Sequence, residues 1–136
     1  MVTKTRTRTI LIVEDDPDAA EFAQFTLQQG GYRTVVDNVG TAALELVSTR
    51  HGIDLVLLDV MLPGVDGFKI CNQLKSNAHT ARLPVVILTT KRSQEDVLYG
   101  MVMAEADAYL KKPAGPEALL KTVSKLLRRK KKKKVR

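Results

Sequence analysis

Short apolar runs alternate with segments of helical periodicity along most of this chain. Ile10-Leu11-Ile12-Val13, Asp54-Leu55-Val56-Leu57-Leu58 and Val85-Val86-Ile87-Leu88 are short and nearly unbroken, the pattern of strands covered on both faces. Tyr32-Arg33-Thr34-Val35-Val36 and Ala108-Tyr109-Leu110-Lys111 are more polar and suit the edges of a sheet. Between these runs, apolar residues recur every three or four positions. Ala19, Phe22, Ala23 and Leu27 form such a stripe behind Asp16-Pro17, an N-cap followed by a proline at the first helical position, and Gly30-Gly31 ends it. A second helix carries Ala43, Leu46 and Val47. A third follows Asp66-Gly67 and carries Phe68, Ile70, Cys71 and Leu74. Ser93-Gln94-Glu95-Asp96 has the spacing of a capping box and opens a fourth. The last presents Leu119, Leu120, Val123, Leu126 and Leu127 on one stripe.

Strict alternation of strand and helix predicts an α/β fold, a (βα)5 doubly wound parallel five-stranded sheet with helices on both faces. Burying strands 1, 3 and 4 and leaving 2 and 5 at the edges gives the strand order 2-1-3-4-5, which is flavodoxin-like.

At 136 residues the chain has room for one domain. Its apolar runs are too short to span a bilayer, so an integral membrane protein is not expected. The start, Met1 to Thr9, alternates Thr with Lys and Arg and lacks the apolar stretch of a secretory signal. A lone cysteine, Cys71, excludes a disulfide framework, and the expected location is cytoplasmic. Cys71, inside a predicted helix, is read as a packing residue. His51 and His79 are read as surface residues.

The net charge of +7 comes from the ends. Arg128 to Arg136 holds eight basic side chains, and Lys4, Arg6 and Arg8 add three; without those eleven, Thr9 to Leu127 carries −4. The expected organisation is a folded domain over 8–128 and a basic tail or linker over 129–136. Mutual repulsion is expected to fray or extend the chain after Leu127, beyond at most one further helical turn.

In an open α/β sheet, ligands bind outside the carboxyl ends of the strands where the strand order reverses. Here strand 1 ends in Glu14-Asp15-Asp16, strand 3 in Asp59, strand 4 in Thr89-Thr90 and strand 5 in Lys111-Lys112-Pro113. Clustered carboxylates repel one another unless a cation neutralises them. A hard divalent ion with oxygen ligands does so, and Mg²⁺ suits a water-retaining site beside a phosphoryl group. A carboxylate can attack phosphorus and give an aspartyl phosphate, with an ammonium and a hydroxyl to hold the phosphoryl oxygens.

From about Arg8 to Arg128 the chain resembles the receiver domains of two-component response regulators, of the single-domain, chemotaxis-regulator-like kind. The resemblance rests on Ile10-Leu11-Ile12-Val13-Glu14-Asp15-Asp16, on Leu57-Leu58-Asp59-Val60-Met61-Leu62-Pro63-Gly64-Val65-Asp66-Gly67, on Leu88-Thr89-Thr90 and on Asp107-Ala108-Tyr109-Leu110-Lys111-Lys112-Pro113. It implies Asp59 as phosphoryl acceptor. It also implies a Mg²⁺ site, with Mn²⁺ able to substitute, made by Glu14, Asp15, Asp59 and the backbone carbonyl of Met61. Thr89 would bond a phosphoryl oxygen and Lys112 would pair with the phosphate. Tyr109 would swing inward with Thr89, and Pro113 would follow a cis bond. No organic cofactor is implied. The implied partners are a sensor histidine kinase or phosphotransfer protein, and a downstream protein or output domain docked through the fourth helix, fifth strand and last helix. Such a domain is a phosphoacceptor that assists its own phosphorylation and dephosphorylation rather than an enzyme. Glu105, where a glycine is usual, Ala114, where an aromatic is common, and Thr90, where a small residue is frequent, depart from the pattern.

Readings from other classes fail at particular residues. An aspartyl phosphatase needs a second Asp two positions after the nucleophile, where Met61 stands. A flavin site needs a phosphate-cradling loop after strand 1, where Glu14-Asp15-Asp16-Pro17 is acidic. No glycine-rich run precedes a Lys-Ser or Lys-Thr pair, so there is no P-loop. The remaining alternative concerns the tail, which could give a receiver-regulated, weak and non-specific contact with a polyanion, a nucleic acid or membrane surface. A solvated tail or linker is the competing reading.

Overall fold

The computed structural model describes residues 7–40, 42–49, 52–62, 64–90, 95, 98 and 102–135. The elements run β1 (Thr9–Val13), α1 (Pro17–Gln29), β2 (Arg33–Asp37), α2 (Ala43–Thr49), β3 (Ile53–Leu58), β4 (Met61–Leu62), β5 (Val65–Asp66), α3 (Gly67–Ser76), β6 (Val85–Thr89), β7 (Ala108–Lys111) and α4 (Pro116–Val135). β2, β1, β3, β6 and β7 lie side by side in that order, and every neighbouring pair is parallel. This is the expected 2-1-3-4-5 sheet.

Alternate strand residues feed two cores, because side chains on a strand point to opposite faces in turn. Leu11, Val13, Val56, Leu58, Val85 and Ile87 pack with Ala43 of α2 and with Phe68, Ile70, Cys71 and Leu74 of α3. Ile10, Ile12, Leu55, Leu57 and Val86 pack with Ala23 and Leu27 of α1 and with Leu119, Val123, Leu126 and Leu127 of α4. The central strands are almost wholly buried, whereas β2 and β7 are mostly half-exposed.

Several local expectations change. The buried stripe of α1 is Ala20, Ala23, Thr26 and Leu27, and Phe22 lies 46% exposed. Ala20 thus takes the place that periodicity gave to Ala19 and Phe22. Residues 61–66 contain a two-strand antiparallel hairpin, β4 with β5, that their length concealed. The capping box at 93–96 falls largely outside the described residues, as does His51; Glu95 and Leu98 are helical. His79 is exposed.

The largest correction lies at the C-terminal end. α4 continues to Val135, about two turns past Leu127, where a frayed segment was expected. Each added residue closes one more backbone hydrogen bond on a helix already nucleated by packing. Lys and Arg are also good helix formers, and cations suit the negative end of the helix dipole.

Candidate functional site

Backbone ladders bring the acidic residues together. The Asp59 N–H donates to the Val13 carbonyl at 3.0 Å, and the Glu14 N–H donates to the Asp37 carbonyl at 3.1 Å, so the end of β1 lies between the ends of β3 and β2. Glu14 and Asp59 are buried and Asp15 is half-buried; one carboxylate oxygen from each lies within 4.8 Å of the others. The Asp16 N–H donates to Glu14 Oε2 at 3.3 Å, and Asp16 itself caps α1 by accepting from the Asp18 N–H at 3.3 Å. Asp16 thus serves the helix.

Lys112 enters from the other side. Its N–H continues the β6–β7 ladder by donating to the Thr89 carbonyl at 2.9 Å, and the Lys112–Pro113 bond is cis. From there Nζ lies 2.6 Å from Glu14 Oε1 and 3.0 Å from Asp59 Oδ2. Burial pushes the Glu14 carboxyl above its ordinary range; the neighbouring Asp59 adds to this and Lys112 partly offsets it. For Lys112, burial is the largest single influence and opposes its charge. The hydrogen bonds and charges of Glu14 and Asp59 together outweigh it, and the ammonium holds its proton more firmly than usual.

Thr89, fully buried, ends β6 beside this group. Tyr109 stands opposite Ile87 in the β6–β7 register and is half-buried against the α3-side core. Met61 follows Asp59 by two residues and pairs with Asp66 in the hairpin. Lys112 therefore contacts Glu14 and Asp59, with Asp15 close to both carboxylates, while Thr89 ends β6, Met61 begins β4 and Tyr109 lies within β7.

The supporting roles of three residues were not foreseen from the sequence. Asp37, 7% exposed, accepts from the N–H groups of Val39, Gly40 and Ala42 and so ties down the loop beside Glu14. Its only signal was Asp37-Asn38 with Gly40 close behind, residues common in turns. Gly67 lies so close to the end of β3 that a Cβ there would overlap the Val60 backbone and come 3.0 Å from the Asp59 carbonyl. Asp54 sits at a register shift between β1 and β3, where its Oδ2 accepts from the Thr9 N–H at 2.8 Å and its Oδ1 lies 3.7 Å from Arg8.

With this geometry in hand, comparison with known proteins places the chain in a family. Residues 10–124 match the response regulator receiver domain. The chain belongs to that family, the receiver domain of two-component response regulators. It is 38% identical over 122 residues to the DNA-binding dual master transcriptional regulator RpaA of Synechocystis sp., a match covering 88% of this chain and 49% of that protein. It is 39% identical over 125 residues to the DNA-binding response regulator MtrA of Mycolicibacterium smegmatis, covering 92% of this chain and 53% of the other. The chain thus spans about half the length of these curated relatives. A crystal structure of a response regulator from Chloroflexus aurantiacus superposes with a TM-score of 0.84 at 32% identity, covering 90% of this chain and 98% of that one. Among the described residues, no helix is long and apolar enough to cross a membrane.

Proposed function

We propose that Asp59 accepts a phosphoryl group from the phosphohistidine of a sensor histidine kinase or phosphotransfer protein, in a Mg²⁺-dependent reaction in the cytoplasm. The domain, over 8–128, then presents an altered surface to a downstream protein or output domain. The observation that carries this reading is the Lys112 ammonium held between Glu14 and Asp59, with Asp15 completing the acidic group.

The side chains fit a divalent ion. Three carboxylates gather around one Lys112 ammonium, the donors are hard oxygens, and Asp15 is half-buried, open enough for the ion to keep water. Glu14, Asp15 and Asp59 would hold Mg²⁺ or Mn²⁺, with the Met61 carbonyl. A bound ion supplies charge neutralisation on the phosphoryl oxygens.

In the transfer itself, an Asp59 carboxylate oxygen attacks phosphorus. The bond from phosphorus to the donor imidazole nitrogen breaks, and its electron pair stays on that nitrogen. Lys112, already beside Asp59 Oδ2, follows the charge to the phosphoryl oxygens, and Thr89 gives them a hydroxyl. Movement of Thr89 leaves room for Tyr109, and the altered face lies on β7, α4 and the helical segment before them. The chain is a phosphoacceptor in this scheme and not a conventional enzyme.

The test is direct. Acetyl phosphate or phosphoramidate with Mg²⁺ adds one phosphoryl mass to the protein, and Asp59→Asn abolishes this because an amide is a poor nucleophile. Equal labelling of the Asn variant would overturn the assignment.

A further inference from the structure

The apolar stripe that seats α4 on the sheet ends at Leu127, yet the helix continues to Val135. From Arg128 to Arg136 every residue except Val135 is Lys or Arg. A helix advances about 1.5 Å per residue, so Arg128 to Lys134 brings about one positive charge per 1.5 Å of axis. Duplex nucleic acid carries one negative charge per ~1.7 Å. The two densities match. Seven consecutive basic positions also cover the whole circumference of the helix, because they span about two turns.

We propose that the last two turns of α4 bind the phosphate backbone of duplex nucleic acid without reading base sequence. The body of the chain, at −4 from Thr9 to Leu127, repels a polyanion and leaves this contact to the tail. An interfacial membrane helix needs an apolar face, and no apolar residue lies between Arg128 and Lys134. Beyond the contacts that Arg and Lys make to guanine, base reading draws on Asn and Gln side chains or on aromatic stacking. The segment has none of these, and five of its eight cations are lysines, point charges on flexible stems.

The experiment uses the intact chain, two short duplexes of unrelated sequence and a salt series. With about four cations facing one duplex, affinity falls about 100-fold between about 50 and about 200 mM salt, equally for both sequences. Replacing Lys130→Gln, Lys131→Gln, Lys132→Gln and Lys133→Gln together lowers affinity at least about tenfold at fixed salt and flattens the salt dependence. The melting temperature does not drop, which separates lost charge from lost fold. Unchanged binding by the substituted chain would overturn the proposal, as would a strong preference for one duplex. Tighter binding to phosphatidylcholine–phosphatidylserine vesicles than to duplex, at equal anionic charge, would also overturn it.

Discussion

Lys112, just past the end of β7, reaches across the ends of β6 and β3 to place its ammonium 2.6 Å from Glu14 Oε1, at the end of β1. The pair joins strands that are not neighbours, and it engages a carboxylate of the group that would hold a divalent ion. Lys112 and the ion therefore compete for Glu14. Lys112→Ala removes that competitor from Glu14 and Asp59, so apparent Mg²⁺ affinity rises about fivefold, the worth of a partly buried ion pair of about 1 kcal/mol. Asp15→Asn does the opposite and removes most of the Mg²⁺-dependent rise in melting temperature. Calorimetric titration and thermal melting read both. Weaker Mg²⁺ binding in the Lys112 variant would show that the two cations do not compete.

Thr89 contributes its carbonyl to the ladder and its hydroxyl to the proposed switch, and only the second depends on its side chain. Thr89→Ala keeps the ladder bond to Lys112, and with it the Mg²⁺ response. Beryllofluoride stands in for the phosphoryl group on Asp59. It should shift the Tyr109 ring resonances in the parent chain and leave them nearly unmoved in the variant. Identical shifts in both would remove Thr89 from the switch.

Glu105 has φ +63°, in the left-handed region where a side chain costs about 1–2 kcal/mol. The turn is pinned from α3, where Asn72 Nδ2 donates to the Met103 carbonyl at 3.0 Å and Cys71 Sγ to the Ala104 carbonyl at 3.2 Å. Glu105→Gly relieves the strain, and the greater freedom of glycine in the unfolded chain returns part of the gain. The net effect is about 0.5–1 kcal/mol of added stability, a rise in melting temperature of roughly 2–4 °C. Glu105→Ala retains the strain and gives no such rise. Equal melting temperatures for the Gly and Ala variants would mean that the turn carries no strain.

Cys71 is wholly buried, and burial pushes its thiol up to about 12 from 9.0. The native thiol stays protonated while the unfolded one ionises near 9.0. The stability linked to this group is thus complete below that pH and is lost as pH rises toward about 12. At pH 8, a disulfide reagent such as Ellman's should label the protein only as fast as it opens, and at once in denaturant. Rapid native labelling would place the sulfur at the surface.

Much of this architecture was legible in the order of residues. Three apolar strands and two polar ones, alternating with helical stripes, admit one economical sheet. The strand ends then fall where Glu14, Asp15, Asp59, Thr89 and Lys112 stand. Periodicity records which faces are apolar, and that suffices for topology. It does not record how near two elements approach, and the remaining features were decided there. Tertiary packing buried Ala20 and exposed Phe22, made Gly67 indispensable against Val60, and placed Asp54 at the register shift where β1 meets β3. It also set Lys112 against Glu14 rather than merely near it. The helix beyond Leu127 is a matter of cooperativity. A helix held by its packed turns carries its neighbours with it, so the last residues take their conformation from a core they do not touch in sequence.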